Sequence, residues 1–396
     1  MTVQNASLLL KNARLVTGAA TCQAGWIRLE RGMITEVGDG KPPEDMERAV
    51  ETVDVDGEWV VPGFIDLHVH GADGAEVMDG TPAALRRIGR FHARHGTTGW
   101  LPTTLTAPVA SILQSLQAAR RVQQSPSPDD GARILGVHLE GPFISPRKVG
   151  AQNPAHVLAP SVEVMRAFEH VSPGLVKKVT LAPEQPGALA LVHWLRERGI
   201  IPSIGHTEGT FAEIVRAMEA GATQATHLFN AMTGLHHREG GAAGACLLAD
   251  DVTCELIADT LHVHPDVMRL VVRVKGPDRI ALITDAIAAT GRPDGRYRLG
   301  ELEIVVTEGK SLLKDGHTLA GSTLTMDAAV RNMVSRVGVS LEDAVIMAST
   351  TPARELGLGD RKGAIAVGYD ADLVVLDENL TVARTFVQGR EVYCRR

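Results

Sequence analysis

Residues 60–71 read VVPGFIDLHVHG, and the reading of this stretch decides the fold. It is a short apolar run with strand character that ends in His68-Val69-His70. Strand side chains alternate with a period of two, so both imidazoles point to the same side. Apolar runs of the same kind recur at 99–103, 134–140, 179–182, 201–206, 224–228, 254–258 and 280–285. Helical patterns lie between them at 82–95, 109–124, 187–198, 210–220 and 265–274. Several end in glycine, as in RHG, RERG and EAG, which fits the left-handed position after a last turn. Eight strands interleaved with helices is the count of a closed parallel (β/α)8 TIM-like barrel. A doubly wound sheet competes, because periodicity does not distinguish an open sheet from a closed one, and the count favours the barrel.

Outward from this middle, both ends of the chain change character. ASLLLKNARLVT, GWIRLERGMITEVGDG and VDVDGEWVV alternate between turn residues as hairpins do. GAIAVGYDADLVVLDENLTVARTFVQGREVYC repeats the pattern at the other end. The expected organisation is a small β-sandwich built from residues 1–60 and 356–396 around a barrel of residues 61–355. Within the barrel, SPSPDDG at 125–131 reads as a polar connector. LEIVVTEGKSLLKDGHTLAGS reads as a hairpin insertion with KDG as its turn. Helices are expected at 325–337 and 341–349, with Thr351-Pro352 breaking the chain before it returns to the β domain.

Composition narrows the function. A formal net charge of −7 leaves no global positive field for nucleic acid or an anionic membrane. An anionic substrate must therefore be held by a few placed residues. No stretch approaches the roughly 18 to 20 apolar residues of a membrane helix. The N-terminal MTVQNASLLL lacks the basic and apolar pattern of a secretory signal. Cys22, Cys246, Cys254 and Cys394 show no metal or redox spacing and read as reduced. A soluble cytoplasmic protein is expected.

The chemistry is written at the strand ends. The first strand ends in His68 and His70, the third in Glu140 and the fifth in His206; the sixth carries His227, and the eighth ends in Asp285. Barrel enzymes place catalysis on the C-terminal face of the strands. Imidazoles with carboxylates suit zinc, divalent iron, cobalt or manganese better than calcium or magnesium. Such an ion, with an open position, supplies hydroxide at neutral pH. Amide hydrolysis then needs a carboxylate to take the water's proton and pass it to the leaving nitrogen. Asp285 is the candidate. His92, His95 and His193 fall inside helical patterns and read as packing or surface residues. Asp66 reads as a support for its strand.

PGFIDLHVHG resembles the first-strand motif of the amidohydrolase superfamily. The finer pattern resembles the N-acetylglucosamine-6-phosphate deacetylases, through HLEGPFI at 138–144, GAQNP at 150–154, IGHT at 204–207, THLFNAM at 226–232, LITDA at 282–286 and LAGSTLTM at 319–326. The resemblance implies Glu140, His206 and His227 as ligands of a principal divalent metal. It implies His68 and His70 as a pair that can hold a second ion, with Glu140 placed to bridge, so one or two ions are expected. It further implies hydrolysis of N-acetyl-D-glucosamine 6-phosphate to D-glucosamine 6-phosphate and acetate, by a homodimer. Backbone N–H groups of Asn230 and Ala231 would then meet the substrate, and Arg238 its phosphate. His262 would contact the sugar or polarise the carbonyl. Leu319, Ala320 and Gly321 would line the ring, and Ala151 and Gln152 would lie on a substrate-facing loop. His236 and His237 are further phosphate candidates across a dimer interface.

Two departures bear on this expectation. Gln152 stands where some relatives carry histidine, and it can donate a hydrogen bond but carries no charge. Thr260, in Asp259-Thr260-Leu261-His262, replaces the usual glycine, which bears on the geometry of the loop that holds His262.

Three other readings are open. The closest is a deacetylase for N-acetylgalactosamine 6-phosphate. Another is a cyclic-amide amidohydrolase of the dihydroorotase, dihydropyrimidinase or isoaspartyl dipeptidase type. Many of those bridge two metals with a carboxylated lysine near the end of the fourth strand, whereas here Lys177 and Lys178 stand at its beginning. The most remote is a non-catalytic scaffold barrel, which could lose ligands without losing the fold. This chain keeps every candidate.

Overall fold

The structure is a computed structural model that describes residues 7–18, 21–127 and 129–395. Residues 1–6, part of the segment read against a secretory signal, lie outside the described residues, as does Pro128 of the 125–131 connector. Eight parallel strands form the barrel, in a central sheet whose ninth strand is the short Arg133–Ile134 beside β2: β1 (Phe64–Val69), β2 (Thr97–Thr104), β3 (Val137–Glu140), β4 (Val176–Leu181), β5 (Ile201–Ile204), β6 (Gln224–Ala225), β7 (Thr253–Ile257) and β8 (Ile280–Ile283). Each pairs in parallel with the next from β1 to β8. The seam between β8 and β1 is closed just past the strand ends, where Asp285 N donates to His68 O at 2.9 Å and His70 N to Ala286 O at 2.8 Å. The backbones of two expected site histidines and of Asp285, the expected catalytic residue, thus carry the bonds that close the barrel.

The helices that cover the strands are α1 (Pro82–Ala93), α2 (Val109–Gln124), α3 (Val162–Val171), α4 (Ala188–Arg196), α5 (Phe211–Glu219), α6 (Gly241–Leu248), α7 (Pro265–Lys275) and α8 (Met326–Asn332). Their starts follow local chemistry. Thr210 caps α5 through the Glu213 N–H while Glu213 reaches back to the Thr210 N–H, a reciprocal capping box. Leu85, Ile88 and Ile214, on the inner helix faces, join Leu67, Leu139, Val179 and Leu282 from the strands in one core. The stretch 60–70 is not one strand. Trp59–Pro62 pairs antiparallel with Leu373–Leu376 in the other sheet, and the chain enters the barrel after Gly63. A side chain at Gly63 would collide with Thr98, its Cβ falling 2.2 Å from Oγ1.

That other sheet has eight strands, five from the N-terminal end and three from the C-terminal end. Its core includes Leu10, Ile27, Val60, Leu373 and Phe386. Both ends meet where Trp59–Pro62 sits between Leu8–Val16 and Leu373–Leu376. The insertion after β8 is larger than the expected hairpin: Gly295–Leu299, Leu302–Thr307 and Lys310–Leu313 form a three-stranded meander. The KDG at 314–316 does turn the chain, leading to the bridge between Leu312 and Leu319. The expected break at Thr351-Pro352 is corrected. Helix Thr351–Glu355 follows a π-helical turn, Ile346–Thr350, without interruption. Pro352 stands in the first turn of that helix, where its missing N–H is tolerated.

Candidate active site

His68, His70, Glu140, His206, His227 and Asp285 converge at the C-terminal mouth of the barrel, each 7% exposed or less. Glu140 sits at the centre. Its Oε1 lies 3.0 Å from His227 Nε2 and 3.1 Å from His206 Nε2, and its Oε2 lies 3.2 Å from His70 Nε2. Asp285 Oδ1 lies 3.3 Å from His70 Nε2 and 3.6 Å from His68 Nε2. Two ligand groups result, Glu140 with His206 and His227, and His68 with His70 and Asp285, each with its donor atoms within 4.8 Å of one another. The first group is the one the family resemblance implied; the second adds Asp285 to the expected pair of His68 and His70.

The donor set fits divalent metal. His206 Nε2 and His227 Nε2 are 3.1 Å apart, as are His68 Nε2 and His70 Nε2. Two ring nitrogens face each other so closely only with a proton or a metal ion between them. Ligands at metal–nitrogen distances of about 2.0–2.1 Å in tetrahedral geometry stand roughly 3.3 Å apart. The outward nitrogens agree. His206 Nδ1 faces Lys148 O at 2.8 Å and His70 Nδ1 faces Thr103 O at 3.1 Å, so each donates from Nδ1 and leaves Nε2 free to ligate. Burial resists charge on His68, yet the carboxylates of Glu140 and Asp285 prevail and carry it up to about 10. His70 rises to about 9 against its own burial, through hydrogen bonds to Asp285 and Glu140. Burial also opposes charge on Glu140 and Asp285, but the histidines hold both carboxyls below their ordinary values. The site holds anions and calls for positive charge.

The backbone is bent to aim these groups. His206, His227 and Asp285 take positive φ of 48°, 29° and 52°, a region that costs non-glycine residues energy and clusters at functional sites. Gly321 serves the same end. At φ 53°, a Cβ there would lie 2.4 Å from Ile287 Cγ2 and 2.9 Å from the Asp285 carbonyl oxygen. Asp66 does not face the ligand groups. It accepts hydrogen bonds from Thr284 Oγ1 at 2.6 Å and from the N–H groups of Thr284 and His68 at 3.2 Å, pinning β8 to β1. Burial pushes its carboxyl up to about 7 against those bonds.

A cavity of about 270 Å³ opens over the ligand groups, and Ala151, Gln152, Asn230, Ala231, His262, Leu319 and Gly321 all line it. Ala320 lies behind the wall, fully buried against Leu105 and Ile287. Arg238 is not among the lining residues; it is exposed on the loop after β6, with Nη1 2.8 Å from His237 Nε2. Asn230 cannot offer its backbone N–H as expected, because that group already donates to His227 O at 2.9 Å. Gln152 is held at both ends: Oε1 accepts from Thr106 N at 2.7 Å, and Nε2 donates to Glu140 Oε2. His262 is steadied by Asp259, whose carboxylate accepts from the His262 N–H at 2.8 Å and from Nδ1 at 2.6 Å. Burial lowers the affinity of His262 for a proton, and Asp259 more than restores it.

Sequence reasoning missed Leu105, Leu299 and His317 in the cavity wall. His317 stands two residues before the LAGSTLTM motif, a signal that could have marked it. Leu299 belongs to the insertion and carried none. Also missed were Lys178 and Glu255, both fully buried.

A family model described as the amidohydrolase family matches residues 59–392. The N-acetylglucosamine-6-phosphate deacetylase of Lysinibacillus sphaericus is 38% identical over 385 residues, covering 97% of each chain. The N-acetylgalactosamine-6-phosphate deacetylase of Escherichia coli O157:H7 is 39% identical over 382 residues, covering 96% of this chain and 98% of its own. The N-acetyl-D-glucosamine-6-phosphate deacetylase of Mycobacterium smegmatis, solved as a point mutant in complex with N-acetyl-D-glucosamine-6-phosphate, superposes with a TM-score of 0.91. It is 37% identical, with 98% of this chain and 99% of that chain covered. Matched along nearly its whole length in sequence and in three dimensions, the chain belongs to the amidohydrolase family, in the branch that holds the N-acetylglucosamine-6-phosphate deacetylases.

Proposed function

We propose that this protein hydrolyses the acetamide of N-acetyl-D-glucosamine 6-phosphate to give D-glucosamine 6-phosphate and acetate. The observation that carries this reading is the meeting of Glu140, His206, His227, His70 and Asp285 at the floor of one cavity, with His68 buried directly beneath them. Glu140, His206 and His227 would hold a divalent ion, which when bound would supply water of lowered pKa and a Lewis acid for the amide carbonyl. Asp285, kept ionised by His68 and His70, takes the proton of the attacking water and returns it to the leaving nitrogen. His262, fixed through Nδ1 by Asp259, presents its other nitrogen to the substrate. The Ala231 N–H, which has no partner among the described residues, offers a backbone donor. Leu319 and Gly321 close over the sugar ring. The barrel from Phe64 onward carries the reaction, with the strands of the two terminal segments, Trp59–Pro62 among them, as the accompanying β domain.

Zinc and divalent iron suit the nitrogen and oxygen donors, with cobalt and manganese next. The free buried thiols of Cys246 and Cys254 fit a reducing, cytoplasmic setting. Among the described residues no helix is long and apolar enough to cross a membrane. Two chains pair in this reading. Leu235 at 60%, Leu248 at 69%, Leu261 at 49%, Leu270 at 48% and Val274 at 49% exposure lie on or near α6 and α7 in the chain, apolar side chains that a second copy would cover. Arg238 stands three residues from Leu235, outside the cavity of its own chain, so its phosphate role goes with that pairing.

The galactosamine derivative is the second reading, favoured by the relative from Escherichia coli O157:H7. Metal-reconstituted protein should release acetate from both 6-phosphates, with higher kcat/KM for the glucosamine derivative. The reverse order would move the assignment to the galactosamine sugar. No acetate from either would leave a scaffold barrel.

A further inference from the structure

Beneath the ligand groups, the barrel interior holds an ion pair where apolar side chains ordinarily fill the layers. Lys178 on β4 reaches across to Glu255 on β7, and neither side chain has any exposure. Their strands are not neighbours, since β5 and β6 lie between them. Lys178 Nζ bonds Glu255 Oε1, leaving Oε2 for other partners. That oxygen lies 3.4 Å from His68 Nδ1 and accepts from the His227 N–H at 3.4 Å. One carboxylate therefore touches a histidine of each ligand group. It lines neither the cavity nor any path to substrate.

We propose that the Lys178–Glu255 pair is a positioning device that fixes the tautomer of His68 and so governs binding of a second divalent ion by His68, His70 and Asp285. The inference rests on the metal-dependent reading above. Imidazole ligates through a nitrogen that bears no proton, and which nitrogen that is depends on the partner of the other. His68 Nε2 points at His70 Nε2, 3.1 Å away, and at Glu140 Oε1, 3.4 Å away. Glu255 at Nδ1 keeps the proton on the far side of the ring and the lone pair on the near side. Lys178 keeps Glu255 oriented, and its charge compensates a carboxylate that would otherwise stand alone in the core. Packing alone does not call for this pair, because buried ion pairs exchange for apolar side chains at little cost or even with gain.

The test uses the full chain, stripped of metal and titrated with zinc by calorimetry. Two double variants remove the lysine together with the glutamate, so no charge is left unpaired. Lys178→Met with Glu255→Leu removes the acceptor from Nδ1, whereas Lys178→Met with Glu255→Gln keeps one. The proposal expects two zinc ions in the wild type. It expects second-ion affinity about 10- to 100-fold weaker in the leucine pair, and affinity within about threefold of wild type in the glutamine pair. Unchanged affinity in the leucine pair overturns the proposal. So does a wild type that takes one zinc, which leaves the deacetylase reading standing. A wild type that takes no zinc and releases no acetate overturns both. Should the leucine pair not fold, the nitrogen-15 spectrum of zinc-loaded wild type decides, with the His68 signal assigned by its loss in His68→Gln. A proton on Nδ1 supports the proposal, and a proton on Nε2 overturns it.

Discussion

Asp285 is bound to His68 twice across the barrel seam: its backbone N–H donates to His68 O at 2.9 Å, and its Oδ1 lies 3.6 Å from His68 Nε2. The hydrogen bond that closes the barrel also sets the carboxylate beside the ligand groups. The backbone of Asp285 is therefore anchored in the barrel itself, which suits a group that must meet both a water molecule and a leaving nitrogen.

Asp285→Asn should keep the Glu140, His206 and His227 group intact and still bind substrate. It should lower turnover by about 10²- to 10⁴-fold, the range expected for a positioned acid–base group. The amide keeps the size of the carboxylate but cannot accept the water's proton. Acetate release and metal content measured on one preparation check this, and wild-type turnover with full metal would refute the acid–base role.

Arg238→Ala should penalise the phosphorylated substrate selectively. A charge-assisted hydrogen bond is worth roughly 1.5–3 kcal/mol, so kcat/KM for the 6-phosphate should fall about 10- to 100-fold. N-acetylglucosamine itself should change little. Leu270→Asp, placed on the exposed face of α7, should split the proposed dimer and bring the same selective loss. Sedimentation paired with the two-substrate assay is the measurement. Equal losses on both sugars would remove the phosphate role.

Thr260→Gly should stabilise the protein. Thr260 holds φ 67°, a conformation that disfavours β-branched side chains. Left-handed backbone costs an ordinary residue roughly 1–2 kcal/mol, and part of the gain is offset by the greater freedom of glycine in the unfolded chain. A net gain of up to about 1 kcal/mol should appear as a higher Tm. Activity should hold, because Asp259 rather than Thr260 fixes His262. A lower Tm would show that the strain at this turn is compensated by contacts of the threonine.

Much of this was legible in the chain itself. The H-x-H of His68 and His70 and the strand-end placement of Glu140, His206, His227 and Asp285 follow from strand periodicity and from the chemistry of barrel ends. Element limits were less legible. The run 60–70 reads as one strand, yet Gly63 divides it between two sheets, since that division depends on which partner lies alongside. The helix through Pro352 was hidden for the same reason, because the π turn before it is not a property of local sequence. Lys178 was noted only as standing too early in its strand to bridge metals, and its pairing with Glu255, 77 residues away, gave no signal.

The order of residues alone determined which groups stand at the mouth of the barrel, because alternation and element succession are local consequences of covalent geometry. Only the tertiary structure decided that Asp285 joins the His68 and His70 group, that Gln152 spends its amide on Glu140, and that Arg238 is kept outside the cavity. Those outcomes depend on how strands and loops distant in sequence are brought side by side when the barrel closes, and no local pattern encodes that arrangement.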